Sequence, residues 1–195
     1  MKRLFRYLVL VVMITAGCVK VEHPELLDPH SPIFRVSLDN SQTKTYVDEN
    51  YSLFWHAEDR VSVFHKTTLN QEYIFSGSTG ATSGNLIKAD TENSGIGTPI
   101  SANYAVYPYS QETLFMNDGK ISVILPSVQY YAENSFGKGA NPMVAVSSAT
   151  DDMFLPFMNI CGYLKLRLYG EEFRVRSITV NGNNGEKLSG RGIVS

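Results

Sequence analysis

Few side chains in this sequence could act as nucleophiles. The 195 residues contain two cysteines, Cys18 and Cys161. Cys161 lies in an apolar run with no neighbouring base, which predicts a buried structural thiol rather than a nucleophile. The sequence also lacks the Gly-x-Ser-x-Gly and His-Glu-x-x-His motifs and a phosphate-binding glycine loop. We therefore expect no enzymatic activity and no cofactor.

The histidines and the acidic turns do not have the spacing of a metal site. His56 and His65 lie at the ends of two predicted strands, so shared ligation would need a neighbouring carboxylate as a third ligand. The Asp151-Asp152 pair and the Asn-Gly cluster at 181–185 lack the repeated oxygen ligands of a calcium loop. We predict no bound metal.

Cys18 is the residue with the clearest chemical role. It follows a basic head, an unbroken apolar run at 8–14 and the small residues Ala16 and Gly17. This is the pattern of a secretory signal peptide, and the run is shorter than the roughly 20 residues of a membrane-spanning helix. The segment 1–17 resembles a bacterial lipoprotein signal, which implies cleavage between Gly17 and Cys18 and attachment of acyl chains such as palmitate to Cys18. The alternative is an ordinary signal peptide with a chance cysteine.

The chain after the signal is large enough for one large or two small domains. Removal of residues 1–17 takes away three basic residues and changes the formal net charge from −2 to −5. A mildly acidic chain without a basic run is unsuited to nucleic-acid binding. With Cys18 acylated, Cys161 has no disulfide partner, so stability must come from the burial of apolar side chains.

Short alternating segments predict an all-β sandwich. Residues 18–32 contain three prolines and predict a flexible tether, and residues 33–152 predict an N-terminal β-sandwich domain. Its strands are spaced about every 8–12 residues, with glycine, proline and asparagine between them, and no helical period is present. The predicted strands are 34–38, 51–56, 61–64, 72–76, 104–109, 121–125 and 143–146.

A second, partial β domain is predicted over residues 153–195. The leucines at 164, 166 and 168 alternate with polar residues, and residues 173–180 predict a further strand. Three strands alone would bury little core. Either they join the first sandwich, or the sequence is a truncated version of a longer two-domain protein.

Four short motifs behind this signal resemble the fimbrillin family of bacterial pilus and surface lipoproteins. In order, they are Trp55-x-x-x-Asp59-x-Val61-x-Val63-Phe64, Tyr104-Ala-Val-Tyr-Pro-Tyr109, Ala140-Asn-Pro-Met-Val-Ala145 and Phe157-Met-Asn-Ile-Cys-Gly-Tyr-Leu-Lys-Leu166. The resemblance implies two β-sandwich domains of transthyretin-like topology, the second opening at the last motif. It also implies assembly in which a strand of one subunit completes the sheet of the next.

The resemblance further implies a processing site at Arg35. In pilus-forming members, a trypsin-like protease cuts after an arginine near the N-terminus, which frees the subunit from its lipid and opens a groove for the incoming strand. Arg35 follows the proline-rich tether and begins the first predicted strand, so its position fits. An arginine on the polar face of an ordinary strand is the alternative.

These observations predict a lipid-anchored, non-catalytic protein of the outer membrane or cell surface, acting in adhesion or fimbrial assembly by β-strand addition. Its expected partners are the membrane, other fimbrial subunits and a host or glycan ligand. The alternative is a glycan- or peptide-binding surface lipoprotein that uses Tyr104, Tyr107 and Tyr109 as a ligand-facing row, although these tyrosines also fit packing and edge positions. A truncated product without an independent role is a third alternative.

Overall fold

The structure, a computed structural model, describes residues 31–38, 53–91, 95–116, 119–132, 135–137, 139–172 and 174–195. The predictions for the signal peptide, for Gly17 and Cys18 and for most of the 18–32 tether lie outside these residues.

All regular secondary structure in the described residues is β, which confirms the predicted all-β class. The strands are β1 (Phe34–Leu38), β2 (Arg60–Phe64), β3 (Gln71–Ser76), β4 (Ser83–Lys88), β5 (Tyr104–Tyr107), β6 (Leu114–Phe115), β7 (Ile121–Leu125), β8 (Tyr131–Ala132), β9 (Ser135–Phe136), β10 (Met143–Val146), β11 (Phe154–Asn159) and β12 (Gly190–Val194). The segment predicted as a strand at 51–56 contributes one isolated bridge among its described residues, from Trp55 to Ala81.

Seven of the described strands close into a barrel in the order β1-β11-β10-β5-β2-β3-β4. Strand β1 closes it, because it pairs in parallel with β11 and antiparallel with β4. The prediction of a sandwich therefore differs in detail from the closed barrel. Alternation decides which side chains face inward, whereas closure depends on β1 finding two neighbours that lie far away in the sequence.

Aromatic side chains fill the centre of the barrel. Trp55 is buried and stacks on Phe75 with ring centroids 5.1 Å apart. Tyr107 and Phe157 meet its ring edge-on at 5.7 Å and 5.1 Å. Stacked and edge-to-face contacts are the favoured geometries of aromatic pairs, so this cluster joins β3, β5 and β11 through one side chain.

A second layer covers the outside of the barrel. Three further strands form a sheet in the order β12-β7-β6. Ile121 and Val123 of β7 are buried against Phe64 of β2 and Val106 of β5, which face outward from the barrel. Strands β8 and β9 form a separate two-residue pairing. The fold therefore has one core inside the barrel and a smaller one between the barrel and this sheet.

The strands predicted at 164–168 and 173–180 are wrong for the described residues. Between β11 and β12, the described residues form no strand, and Leu164 is 68% exposed. A strand needs a neighbour to accept and donate its backbone hydrogen bonds, and no described strand lies beside this segment. Alternation shows that the segment can form a strand, but it does not supply the partner.

The C-terminal part of the chain contributes to both layers. Strand β11 pairs with β1 and β10 inside the barrel, and β12 pairs with β7 in the outer sheet. The predicted boundary at Met153 thus falls directly before a barrel strand. The division into domains at 33–152 and 153–195 stays a prediction.

Gly84 of β4 should not tolerate a larger residue. A Cβ atom there would lie 2.4 Å from Cε2 of Phe75, whose ring is held against Trp55. We expect Gly84→Ala to lower the free energy of unfolding by about 1–3 kcal/mol, measured by urea denaturation, because the core must shift to admit the methyl group.

Gly162 provides the matched control for this substitution. A Cβ atom added there meets no atom within 4 Å, so Gly162→Ala should leave the urea midpoint nearly unchanged. Phe75→Leu in the Gly84→Ala background should cost less than the sum of the two single changes, since the smaller side chain leaves room. Equal midpoints for Gly84→Ala and wild type would contradict the close contact.

Candidate functional site

The strongest candidate for an interaction site is the pairing of β12 with β7. Five residue pairs join the two strands, from Gly190 opposite Leu125 to Val194 opposite Ile121. Val194 packs into the small core between the outer sheet and the barrel. On the opposite face Ile193 is 61% exposed. Strand β12 therefore completes an apolar layer with one face and presents the other to its surroundings.

Strand β12 also presents a backbone edge. It stands last in the order β12-β7-β6, so the edge away from β7 faces no strand among the described residues. An edge strand carries backbone donors and acceptors that another extended segment can pair with. Arg191 holds the strand to the body, because its Nη1 donates to Oγ of Ser122 and to the carbonyl oxygen of Glu112.

The segment between β11 and β12 joins this edge strand to the barrel. It is anchored at its start, where the ring of Tyr163 stacks on Phe136 at 5.5 Å and its hydroxyl donates to Asn141. Further along, apolar side chains at 164, 166, 168, 175, 178 and 180 are exposed. The described residues from 161 to 189 therefore expose several apolar side chains and form no strand.

The structure does not bring the three predicted ligand-facing tyrosines onto one surface. Tyr107 points into the barrel and is 6% exposed, whereas Tyr104 points outward from the same strand and packs on Phe115 at 4.9 Å. Tyr109 follows the end of β5, where its backbone N–H donates to the carbonyl of Arg60. A row that binds one sugar chain would need all three rings on a single exposed face.

The Tyr107 hydroxyl is occupied inside the protein. It donates to Oδ1 of the buried Asp59 at 3.2 Å, and Oδ2 of Asp59 accepts the backbone N–H of His56 at 2.9 Å. Burial, and then the negative charge of Asp59, raise the pKa of Tyr107, so the hydroxyl stays protonated and remains a donor. This contact fixes the turn before β2 to the barrel interior.

His65 belongs to a structural hydrogen-bond network. Its Nδ1 lies 2.8 Å from Oδ1 of the fully buried Asn103, whose amide nitrogen donates to carbonyl oxygens of the loop at 149–152. His56 is exposed beyond the aromatic core. The part of the chain that the structure describes contains no cluster of three or more histidine, cysteine, aspartate or glutamate residues able to hold a metal ion.

Cys161 lies just beyond β11 and is partly buried. Burial raises the pKa of its thiol above the ordinary value, because the surroundings disfavour the thiolate. A protonated thiol is a weak nucleophile. The local environment is thus unsuited to covalent catalysis at this residue.

Arg35 is the second residue of β1, the strand that closes the barrel. It is opposite Phe154 of β11 on one side and Asn85 of β4 on the other, and its side chain is exposed. A protease binds an extended, unpaired segment, so cutting after Arg35 in the folded protein would require β1 to separate from both neighbours. Processing at Arg35 stays a prediction.

Sequence reasoning missed the β7–β12 pairing and the Asn103 network. Alternation located β7, but nothing in the pattern names β12 as its neighbour. Asn103 precedes β5 and carries no motif. Its importance comes from contacts with residues about 40 to 50 positions away, which only the folded chain brings together.

Comparison with known proteins gives no further assignment: no family model, curated protein or solved structure matches this chain. Among the described residues, no helix has the length and apolar character needed to cross a membrane. The resemblance to fimbrillins therefore continues to rest on the four short motifs and the signal segment.

The placement of Arg35 predicts a distinct pattern of limited proteolysis. Brief trypsin treatment should cut first after Lys165, Arg167, Arg174 or Arg176, which lie outside strands, and at least about 100-fold more slowly after Arg35, whose strand must open first. Mass spectrometry of the fragments over time measures both rates. In urea, where β1 is unfolded, the two rates should become similar. An early fragment beginning at Val36 from the folded protein would contradict the prediction.

The burial of His65 predicts that the free energy of unfolding falls in mild acid. Burial lowers the pKa of its imidazole below 6.5, against the opposing effect of the Asn103 hydrogen bond. The unfolded chain then takes up a proton at a higher pH than the folded chain, so the stabilisation is complete above about pH 6.5 and is lost as the pH falls below it.

Urea midpoints of wild type and His65→Gln measure this effect. From about pH 7.5 to about pH 5, the wild type should lose more stability than His65→Gln, because only the wild type carries the titrating imidazole at this position. Carboxylates titrate in both proteins and cancel in the comparison. Parallel pH profiles would contradict the assignment.

Proposed function

We propose that this chain is a lipid-anchored, non-catalytic surface or pilus-associated protein that acts in adhesion or fimbrial assembly by β-strand addition. The anchor is Cys18, which is acylated after the signal is cleaved between Gly17 and Cys18. This part of the proposal rests on the sequence alone. The mechanism is the pairing of an extended strand with a sheet edge of another subunit.

One observation carries the assembly mechanism, namely the way β12 is attached. It adds to the edge of β7 through five residue pairs, and the segment that leads to it forms no strand among its described residues. A strand that is added to a sheet through a long irregular connection can be supplied equally well by a neighbouring copy, because the contacts on β7 are the same. This supports β7 as an acceptor and β12 as a donor.

The chemistry of the interface suits strand addition. Backbone hydrogen bonds along β7 give affinity, and the side chains that enter the small core fix the register. Val194 enters this core, and a Cβ at Gly192 would lie in ordinary contact with Val123, at 3.6 Å. A register shift by one residue would turn Val194 to the outer face and Ile193 inward, so one alignment is favoured.

Cysteine crosslinking tests whether β12 pairs between copies. Ser122 of β7 and Ile193 of β12 are opposite each other, so cysteines at both positions would lie within reach of a disulfide. We expect Ser122→Cys and Ile193→Cys chains, each with Cys161→Ser, to form disulfide-linked heterodimers when expressed together on the cell surface. Non-reducing gels measure the product, and the chain with both cysteines should give a covalent ladder.

Ser177 supplies the matched control, since it is exposed in the connecting segment and lies outside β12. Ser122→Cys with Ser177→Cys should give only the crosslinking expected from random collision. A Ser122→Cys and Ile193→Cys pair that crosslinks no better than this control, while the double-cysteine chain closes entirely within itself, would rule out exchange of β12.

A further inference from the structure

The outer face of β1, β4 and β11 carries a second surface feature, far in the topology from β12. Arg35 lies between Phe154 and Asn85, and the next outward position of β1, Ser37, lies opposite Ser83. These side chains and Phe154 line a depression of about 460 Å³. We call this surface the Arg35 face.

The polar side chains of the Arg35 face make few contacts within the fold, and the Arg35 guanidinium interacts through its charge with the Asp152 carboxylate, whose pKa it helps to lower. Within the described part of the chain, Arg35, Ser37, Ser83 and Asn85 form no side-chain hydrogen bond and no ion pair within 4 Å. The buried Asn103, by contrast, has its hydrogen-bond partners inside the protein. Four adjacent donors and acceptors that face outward can bind a ligand without breaking an internal contact.

The same face offers an aromatic surface. Phe154 is 38% exposed and stands directly beside Arg35 across the parallel pair. Neighbouring side chains across strands lie roughly 5 Å apart, and successive outward positions on one strand lie about 7 Å apart. The Arg35 face is therefore about 10 Å by 7 Å, the size of one or two sugar rings.

A peptide does not suit this surface. The backbones of β1, β4 and β11 are paired on both sides within the closed barrel, so an incoming strand finds no free backbone edge there. Recognition must come from side chains alone. A free phosphate is also unsuited, since the face has one guanidinium and no cluster of cations or exposed backbone N–H groups.

We propose that the Arg35 face binds an acidic saccharide, of the kind that contains uronic acid. The Arg35 guanidinium pairs with the sugar carboxylate in the two-pronged geometry that arginine forms with carboxylates. The Phe154 ring packs against the apolar C–H face of a sugar ring. The hydroxyls of the sugar bond to the serines and to Asn85. This site is independent of strand addition at β12.

A binding measurement with a defined acidic oligosaccharide tests the proposal. The full chain, purified in detergent, is titrated with oligogalacturonate and with a neutral galactose oligomer of the same length, using calorimetry, and is run on native gels containing polygalacturonate. We expect the acidic oligomer to bind and to retard the protein, and the neutral one to bind at least about tenfold more weakly, because it lacks the carboxylate that Arg35 pairs with.

Substitutions then locate the binding. Arg35→Gln should weaken oligogalacturonate binding at least about tenfold, whereas Arg176→Gln, which removes an exposed arginine elsewhere, should not. Phe154→Ser should weaken binding of the acidic oligomer without removing any charge. Urea midpoints check that the variants remain folded, and Asn85→Ala provides a further variant that leaves β1 and β11 intact.

Three results would overturn the proposal. They are absence of oligogalacturonate binding, equal affinity for the neutral oligomer, and equal affinity of the Arg35→Gln and Arg176→Gln variants. None of these results bears on the disulfide crosslinking of β7 with β12. The acidic-saccharide site and the strand-addition mechanism are therefore tested independently of each other.

Discussion

The double pairing of β1 is the constraint on which the rest of the structure depends. This strand of five residues holds β11 in parallel on one side and β4 antiparallel on the other, and without it the barrel would be an open sheet with two edges. Its inward side chains, Phe34 and Val36, belong to the main core. Closure therefore leaves the barrel without an unpaired strand edge, and it holds the aromatic cluster around Trp55 in place.

Strand β12 stands in contrast to β1. It has one neighbour among the described strands, and the described part of the segment before it forms no strand. Local stability follows the number of neighbours, since a strand held on one side can leave its sheet at a lower cost than a strand held on both. The barrel is therefore the scaffold, and on the proposed mechanism the outer sheet is the part of this fold in which a strand is exchanged.

Alternation in the sequence predicted β1, β2, β7 and β10 well, because each has a neighbour that its pattern fits. It failed at 164–168, where the same alternation has no neighbour to pair with. The sequence also contained evidence against a single row of tyrosines. Tyr104 and Tyr107 are three positions apart, and the period of two in a strand places them on opposite faces. What the sequence could not supply was pairing between distant segments, which decides closure, the β7–β12 contact and the Asn103 network.

The two roles considered for Arg35 exclude each other physically. Saccharide binding requires Arg35 to stand between Phe154 and Asn85, which is its position only while β1 is paired on both sides. Cleavage after Arg35 requires β1 to be unpaired, and it would separate Arg35 from Val36 and the rest of the barrel. The Arg35 face can therefore exist only on the uncleaved chain, which on the lipoprotein interpretation is the chain still attached to its acyl anchor. Binding of acidic saccharide and release from the membrane would then belong to different forms of the protein.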